Sequence, residues 1–483
     1  MAECRQTACT GVTRKACRDT CRAVTGCRAG GALVRTVANV VTECSWAPGG
    51  EATFTQRLEI KRGDCAPTVV REIGSATGTA PDVVSDVCAI LGVLRYGGFS
   101  VLVGFFQRLG VSPDGRTVLF ELSDQNIGFS GPPSEFVGSG IFAVRADGSS
   151  VPRPLGPASR ARPFVSTEDG LSVKDTPTFH FSPNGRFAVF ADRGPGADGF
   201  DATQLMVLDV VTGERTQVTW FAGAAQSDPT AVTNPIIDSR FIDDGKITGV
   251  EAFGGPDPPA VRFTVRRDGT DFRLIPPPMP IEGSALTPTF QVTGGLGNVV
   301  ALQLPISTTV PFPGNVSELF LIEGDHTLQL TRFGRTETGL GLTAIHSRSG
   351  GRILFEASAD PFQMNPTNTC QFFSIDPLGG GLRQLTRFHS GASSPVGCSG
   401  ALPFPPVCGM RPDSPLSLDF AGRTLMFTSS CDPFGQNLVG GQIFAMHPDG
   451  SGLRQVTHYR GVQTSSDGTV TVEVPGPTAF SGF

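Results

Sequence analysis

A five-residue turn recurs along this chain and constrains its fold more than any other feature of the sequence. The clearest copies read Ser-Pro-Asp-Gly-Arg at 112–116 and Ser-Pro-Asn-Gly-Arg at 182–186, and an apolar β-run follows each of them. Proline holds φ near about −65° and glycine accepts a positive φ, so each copy predicts a tight reversal between two strands. Degraded copies lie at 242–246, 349–352 and 420–423, and a copy near 294–298 keeps only its glycines.

A second repeat follows each turn. Ile-Phe-Ala-Val-Arg-Ala-Asp-Gly at 141–148 returns as Ile-Phe-Ala-Met-His-Pro-Asp-Gly at 443–450. A Gln-(Leu/Val)-Thr tripeptide then recurs at 217–219, 329–331, 384–386 and 455–457. Six copies of a four-stranded meander predict an all-β, six-bladed β-propeller. A further strand at 469–474 allows seven blades, if it pairs with strands near 53–61 and 68–73 in a mixed closing blade.

These motifs resemble the WD40-like (PD40) repeat of TolB-type propellers. The resemblance extends over about residues 99–460, is strong in copies 1, 2, 5 and 6, and is weak in copies 3 and 4. It implies the propeller fold and says little about function, because this repeat serves many tasks.

Twelve cysteines fall into two groups, eight at positions 4–88 and four at 370–431. No Cys-x-x-Cys pair is present, so zinc-ribbon spacing is missing and disulfide bonds are the favoured interpretation. Disulfides indicate an oxidising compartment, so we expect a periplasmic or extracellular protein, although the opening Met-Ala-Glu-Cys-Arg shows no secretory signal. The candidates are Cys17, Cys21, Cys27 and Cys44 in the first group and Cys370, Cys398, Cys408 and Cys431 in the second.

Residues 1–95 are predicted to form a Cys-rich segment separate from a propeller at 96–483. Helical spacing of apolar residues predicts a helical hairpin over 12–44, although β-branched residues leave a strand open for its second half. Alternation over 53–73 predicts a β-hairpin.

Blade topology places the long second–third loops and the connections between blades on one face, opposite the tight turns. The second cysteine group falls on this long-loop face of two adjacent blades, where bridges Cys398–Cys408 and Cys370–Cys431 are one possible pairing. Loops of this kind are where a propeller usually binds its ligand.

Catalytic motifs are missing from the sequence: there is no Gly-x-Ser-x-Gly, no His-Glu-x-x-His, no Walker A and no dinucleotide fingerprint. His180 is the one histidine expected on an innermost strand, where a structural role is favoured over a ligand role. Asp192, Asp198 and Asp201 crowd one long loop and are candidate Ca²⁺ ligands, although their spacing matches no EF-hand. No other cofactor is expected.

The net charge of −6 argues against nucleic-acid binding, and charged and glycine residues break the most apolar run, 88–111, so no membrane span is expected. We therefore expect a monomeric propeller that is either secreted or part of the cell envelope, and that acts as a non-catalytic binding or scaffold protein and not as an enzyme. We expect it to contact a protein or an envelope polymer through its long-loop face. The alternative is a propeller hydrolase or lyase with a metal or carboxylate site at the central funnel.

Overall fold

The computed structural model shows an all-β, propeller-like chain whose strands are numbered β1 to β31 in chain order. Within the described residues there is no helix, and hence none with the length and apolar character needed to span a bilayer. The structure describes residues 36–46, 52–62, 68–78, 106–122, 140–160, 164–167, 170–173, 179–222, 236–251, 261–275, 289–292, 298–305, 315–323, 326–333, 342–346, 352–357, 359–365, 371–388, 417–418, 424–429, 433–434, 442–458 and 462–481.

One five-stranded sheet, the closing sheet, combines strands from both ends of the described chain. It contains β1 (Val37–Trp46), β2 (Ala52–Lys61), β3 (Val69–Gly78), β30 (Val462–Thr464) and β31 (Val470–Phe480). Their order is β3-β2-β1-β31-β30, so a strand from each end lies side by side at the middle of the sheet. The β1–β31 pair is antiparallel and runs from Val37 opposite Phe480 to Trp46 opposite Val470.

Six antiparallel four-stranded sheets, numbered 1 to 6, follow along the chain, each a meander of sequence neighbours. Sheet 1 is β4 (Phe106–Val111), β5 (Thr117–Leu122), β6 (Gly140–Arg145) and β7 (Arg153–Gly156), and a small hairpin of β8 (Phe164–Thr167) and β9 (Gly170–Val173) follows it. Sheet 2 is β10 (His180–Phe181), β11 (Phe187–Pro195), β12 (Asp201–Asp209) and β13 (Arg215–Gln217). Sheet 3 is β14 (Ile236–Phe241), β15 (Lys246–Glu251), β16 (Val261–Arg266) and β17 (Arg273–Ile275).

The remaining three sheets keep the same order of strands. Sheet 4 is β18 (Thr289–Val292), β19 (Asn298–Pro305), β20 (Asn315–Glu323) and β21 (His326–Gln329). Sheet 5 is β22 (Leu342–His346), β23 (Ile353–Ala357), β24 (Gln371–Ile375) and β25 (Arg383–Gln384). Sheet 6 is β26 (Ser417–Leu418), β27 (Leu425–Ser429), β28 (Gln442–Met446) and β29 (Arg454–Gln455).

The closing sheet differs from the predicted division of the chain at residue 95. Its strands β1 to β3 share a sheet with C-terminal strands, so residues 37–78 are part of the propeller-like body. Val37–Trp46 is a strand and not the second half of a helical hairpin, because its β-branched residues pack on both faces of a buried sheet. Strands β2 and β3 lie where the hairpin over 53–73 was predicted. Residues 12–35 lie outside the described residues.

Apolar side chains fill the interfaces between successive sheets. Described clusters join the closing sheet to sheet 1, sheet 1 to 2, sheet 2 to 3, sheet 4 to 5, sheet 5 to 6, and sheet 6 back to the closing sheet. A stacked phenylalanine pair between the second and third strands recurs in sheets 1, 5 and 6, and it accounts for the repeated phenylalanines of the sequence. The pairs are Phe120–Phe142, Phe355–Phe373 and Phe427–Phe444, with ring centroids 5.4, 5.6 and 5.8 Å apart.

The repeated five-residue turn is stabilised by its own side chains. In the first copy Asp114 Oδ1 accepts hydrogen bonds from Ser112 Oγ (2.6 Å) and the Arg116 amide (3.0 Å), and Ser112 Oγ accepts one from the Thr117 amide (2.9 Å). Gly115 adopts φ of 67°, a value that favours glycine, and packs against Thr36. The copy at 182–187 repeats these bonds with an asparagine in place of the aspartate.

The Gln-(Leu/Val)-Thr tripeptide forms a recurring arrangement that we call the clasp. In sheet 5 Thr386 Oγ1 accepts a hydrogen bond from the Phe372 amide (2.9 Å) and donates one to Gln371 Oε1 (2.8 Å). These two bonds tie the segment after the fourth strand to the start of the third, and Gln384 Nε2 donates a local bond to the Thr386 carbonyl (2.8 Å). The same bonds recur around Thr219, Thr331 and Thr457, with Glu318 in the glutamine position of sheet 4.

Two faces follow from this strand order. The first–second and third–fourth turns of each numbered sheet lie on one side, which we call the turn face. The second–third loops and the connections between sheets lie on the other, which we call the loop face. On the turn face some polar groups bond within their own turn, as when Asp449 Oδ1 accepts bonds from the amide and hydroxyl of Ser451 (2.9 and 2.7 Å), and others bond to the turn of a neighbouring sheet, as when Asp244 Oδ1 accepts from the Asn184 amide (2.9 Å).

One buried cysteine and one arginine reinforce the closing sheet. Cys44 is fully buried in β1 and engaged in a disulfide bond. Arg57 of β2 forms ion pairs with three glutamates on β1, β2 and β31, at 2.6, 3.0 and 2.8 Å for Glu43, Glu59 and Glu473. The guanidinium therefore links N-terminal and C-terminal strands through side chains as well as through the backbone.

Removing a clasp hydroxyl should destabilise the fold. Thr386→Val removes the acceptor of the buried Phe372 amide and one of the hydrogen bonds that Gln371 Oε1 accepts, so we expect a loss of about 1–3 kcal/mol in the free energy of unfolding. Urea titration measures it. The control Thr216→Val changes an exposed threonine of β13 and is expected to stay within about 0.5 kcal/mol of the parent. Equal effects of the two substitutions would contradict a role for the clasp in stability.

Candidate functional site

A charged cluster lies at the loop-face ends of sheets 1 and 2. Arg108 on the innermost strand β4 is the cross-strand neighbour of Glu121 on β5, and the Arg108 Nη1 to Glu121 Oε2 distance is 2.6 Å. Both side chains are 0% exposed. Burying two charges is costly unless they are paired and hydrogen-bonded, and this pair meets that condition.

Ser159 joins this pair to a second carboxylate. It lies in the connection from sheet 1 to sheet 2, and its amide donates a short hydrogen bond to Glu121 Oε1. Its hydroxyl donates to Asp192 Oδ1 (3.1 Å), which also accepts bonds from the amides of Arg160 (2.6 Å) and Arg193 (2.7 Å). One serine therefore bridges two carboxyl groups that come from neighbouring sheets.

Arg215 borders the cluster where it approaches solvent. Its Nη1 lies 3.5 Å from Asp192 Oδ2, its Nη2 donates to the Pro157 carbonyl, and its guanidinium lies 5.5 Å from the ring centroid of Phe190. Its side chain is 18% exposed, whereas Glu121 and Arg108 are fully enclosed. We call Arg108, Glu121, Ser159, Asp192 and Arg215 the junction cluster.

The environment of Glu121 changes its acidity. Burial raises the pKa of this carboxyl above its ordinary value, while the charge and hydrogen bond of Arg108 and the bond from the Ser159 amide oppose the rise. Glu121 is 0% exposed, and its two oxygens accept hydrogen bonds from Arg108 and from the Ser159 amide, whereas Asp192 is 11% exposed beside Arg215. Asp192 is therefore the carboxyl of the cluster that a ligand can reach.

The position of Glu121 varies among the sheets. Counted from the basic residue that ends each turn, it corresponds to the fully buried Ala191 in sheet 2 and Ala357 in sheet 5, to Glu251 in sheet 3 and to Thr428 in sheet 6. Sequence reasoning missed this pair. The available signal was a pair of opposite charges in two mostly apolar strands. Arg108 and Glu121 lie at similar distances before and after the first turn, so antiparallel pairing of the two strands brings their side chains together.

The predicted calcium ligands are found in three different settings. Asp192 belongs to the junction cluster, Asp198 accepts a hydrogen bond from the Phe200 amide (3.1 Å), and Asp201 pairs with Arg160 (3.1 Å). Among the described residues no group of three histidine, cysteine or acidic side chains is arranged to hold a metal ion, so the structure does not assemble these aspartates into a calcium site.

Other predicted site residues are distributed as follows. His180 lies on the innermost strand β10, as expected, and His346 ends the innermost strand β22, which the sequence reasoning missed. Cys44 is the one cysteine among the described residues. The disulfide candidates that lie outside the described residues are Cys17, Cys21, Cys27, Cys370, Cys398, Cys408 and Cys431.

No family model matches the chain, and no curated protein matches it. Solved structures do resemble it. The propeller domain of the Trilobed protease from Pyrococcus furiosus is 10% identical with a TM-score of 0.39, and the match covers 87% of this chain and 99% of that one. An oligogalacturonate lyase from Vibrio parahaemolyticus is 10% identical (TM-score 0.38; 76% and 81% covered), and TolB from Agrobacterium tumefaciens is 10% identical (0.27; 92% and 99%).

These neighbours correct the functional prediction. A non-catalytic binding propeller was expected, whereas the solved structures that resemble the chain include the lyase and several acylaminoacyl and prolyl peptidases. The chain spans 48–60% of the length of those peptidases. Identities of 10–13% and TM-scores of 0.38–0.41 indicate a shared type of fold and assign neither substrate nor mechanism.

The raised pKa of Glu121 makes stability depend on pH in a defined direction. Because the folded state holds this proton more tightly than the unfolded chain, the free energy of unfolding falls as pH rises from the unfolded pKa, about 4.3, through the folded one. We expect Glu121→Gln to flatten the slope of unfolding free energy against pH above about pH 4.3, measured by urea titration. An unaltered slope in the Glu121 variant would contradict the assignment.

Proposed function

We propose that this chain is an enzyme of the hydrolase or lyase type whose reacting group is the Asp192 carboxylate of the junction cluster. The observation that carries the proposal is the pair of Glu121 and Asp192, drawn from two sheets and bridged by Ser159 at the loop face. Functional sites are where burial and charged neighbours shift acidity, and Glu121 is such a group beside a second carboxyl.

The two carboxyls have different roles. Glu121 is enclosed and paired with Arg108, and its bond from the Ser159 amide fixes the position of the serine, so we assign it a positioning role. Asp192 accepts three hydrogen bonds on Oδ1, and its Oδ2 lies beside Arg215 where the cluster approaches solvent, so we assign it the role of the base that takes a proton from the substrate or from water.

Arg108 and Arg215 act on these groups from opposite sides. Arg108 neutralises Glu121 from the innermost strand and sets its orientation. Arg215 is the member of the cluster that approaches solvent, so we assign it contact with a carbonyl or carboxylate oxygen of the substrate. An arginine has the planar set of donors that such an oxygen requires.

Loss of the base should abolish most of the activity. We expect Asp192→Asn to lower kcat by about 10²- to 10⁴-fold because general base catalysis contributes this much. The assay measures release of nitroaniline from peptide anilides, of nitrophenol from small esters, and of unsaturated product from polygalacturonate.

The control for this experiment is Glu214→Gln, which changes a glutamate in a turn on the opposite face of sheet 2. It should keep parental kcat. Near-ultraviolet circular dichroism shows whether the Asp192 variant is folded. A folded Asp192 variant with parental kcat would refute the proposal, as would a parent enzyme inactive on all three substrate classes.

We also propose that the seven large sheets are the blades of one ring, which replaces the expectation of six. The support is the sequence of apolar clusters from the closing sheet through sheets 1 to 3 and from sheet 4 through sheet 6 back to the closing sheet. In this arrangement β31 supplies the strand next to β4 of sheet 1, and β1 to β3 complete the blade.

A designed cross-link tests this closure. Ser45 on β1 and Thr471 on β31 are direct cross-strand neighbours with hydroxyl oxygens 3.2 Å apart. We expect Ser45→Cys with Thr471→Cys to form a disulfide, detected by peptide mass mapping, and to raise stability by about 4 kcal/mol through closure of a long loop. The control pair, Ser45→Cys with Thr464→Cys, places the second cysteine on β30 and should stay unlinked. Equal linking of both pairs, or of neither, would contradict the closing sheet.

The location that we propose is the periplasm or the cell exterior. The disulfide of the buried Cys44 supports it, because structural disulfides persist in oxidising compartments. Membership of the TolB-like repeat family is proposed on the same footing, from the turn and clasp motifs that the sequence repeats.

A further inference from the structure

The closing sheet has one strand more than the numbered sheets. In sheet 2 the third–fourth turn packs on the fourth strand of the sheet before it, where Gly213 contacts Leu155 of β7. Gly148 in the same turn of sheet 1 contacts Val69 of β3, so β3 takes the place of a fourth, outermost strand. In the order β3-β2-β1-β31-β30, β31 is then the equivalent of a first strand, and β30 is an additional strand on the axis side of it. We call residues 462–472, which form β30 and its hairpin with β31, the inner hairpin.

The inner hairpin lies at the loop face. Thr36, the residue before β1, donates a hydrogen bond through Oγ1 to the carbonyl of Gly115 (2.7 Å), which places this end of the closing sheet at the turn face. Trp46 opposite Val470 forms the far end of the β1–β31 pair, about 30 Å away at the usual rise of a strand. Thr464 of β30 pairs with Val470, so the hairpin is at the loop-face end of the sheet.

The tip of the inner hairpin is stabilised by its own side chains. Residues 465–469 have the serine, aspartate and glycine of the repeated turn at 112–116 in the same spacing. Asp467 Oδ1 accepts hydrogen bonds from Ser465 Oγ and from the Thr469 amide (3.0 Å), the same pattern as in the first copy of the turn. The tip therefore holds its shape without contacts to other sheets, and a turn that the repeat uses at the turn face is placed here at the loop face.

The inner hairpin extends from a strand that neighbours the junction cluster. Ala479 of β31 packs with Leu109 and Val111 of β4, so these two innermost strands are adjacent. Arg108 of the junction cluster belongs to β4 as well. A ligand that approaches the cluster along the axis from the loop face therefore passes the inner hairpin.

The inner hairpin takes space from the central channel that the first strands of the proposed ring surround. Adjacent strands of a sheet are about 5 Å apart, so β30 moves the inner edge of the closing sheet about 5 Å towards the axis. Residues 463–467 are exposed, as expected for an edge that borders solvent. A small molecule or a single extended chain can pass such an edge, whereas a folded or branched molecule is stopped by it.

We infer that the inner hairpin selects ligands by size at the loop-face mouth of the central channel. It admits small molecules and single extended chains to the channel beside the junction cluster, and it excludes folded or branched molecules. The inference rests on the proposed function and on the proposed ring, because it limits the substrates of that enzyme to molecules narrow enough to pass the hairpin.

Cysteine labelling tests this inference without turnover. The probe position is His180→Cys, because His180 lies on the innermost strand β10 and is partly exposed. The reagents are N-ethylmaleimide and a maleimide attached to a long polyethylene glycol, and peptide mass mapping separates position 180 from the native cysteines. In a shortened variant Gly-Gly replaces residues 464–469. We expect shortening to speed the reaction of the large reagent at least about tenfold and to leave the reaction of the small reagent unchanged.

A second probe and a pair of turn variants complete the experiment. Arg240→Cys on β14 changes another partly exposed residue, at the same spacing before its turn as His180. Asp467→Ala loosens the tip without shortening it and should speed the large reagent by a smaller factor. The control Asp449→Ala loosens a turn with similar bonds at the turn face and should change neither rate. Thermal unfolding shows which variants keep the fold. Equal rates of the large reagent in the folded parent and the folded shortened variant would overturn the inference.

The failure of this inference can be separated from failure of the proposed function, because labelling does not require activity. Labelling that depends on the hairpin, in a parent that is inactive on all three substrate classes, would leave the size selection and remove the enzyme. Activity that is lost in Asp192→Asn, with labelling that does not depend on the hairpin, would leave the enzyme and remove the size selection.

Discussion

The pairing of β1 with β31 is the constraint on which the rest of this structure depends. Every numbered sheet with a described cluster buries apolar side chains against a neighbour, and a row of such sheets would leave an apolar face uncovered at each end. The closing sheet covers both ends: Ala38 and Val40 pack towards sheet 1, and Val37 packs towards sheet 6. Backbone hydrogen bonds between the two ends of the described chain therefore protect the apolar interfaces from water.

Within this arrangement, hydrogen bonds between residues of the same sheet stabilise the individual sheets. The turn around Asp114 and the clasp around Thr386 are closed by side chains only a few residues apart or on adjacent strands. Each satisfies buried backbone amides that the ladder leaves unpaired. Because the same residues recur in several sheets, the same hydrogen bonds recur there. The phenylalanine pairs between the second and third strands recur in the same way.

The candidate site is built on a buried ion pair inside sheet 1. Glu121 stands where sheets 2 and 5 have a buried alanine, and Arg108 places a cation on the innermost strand. A single buried charge is costly without a partner, so the two residues occur together, and Ser159 extends the pair to Asp192 of the next sheet. This cluster lies on the loop face, where the strands end and the connections are free to vary.

The sequence by itself determined the repeat, the meander of four strands and the two faces, because these depend on residues close together in the chain. The turn at 112–116 and the tripeptide at 384–386 predict their own geometry from φ preferences and local hydrogen bonds. The tertiary structure alone decided that Val37–Trp46 joins the C-terminal strand, since about 430 residues separate the partners in each pair and local pattern carries no information on such pairing. The tertiary structure also determined the contacts of Asp192, which the sequence predicts as a calcium ligand and which lies beside Ser159 and Arg215. A side chain's neighbours across a sheet interface are set by how the sheets pack, and that packing is a property of the whole chain.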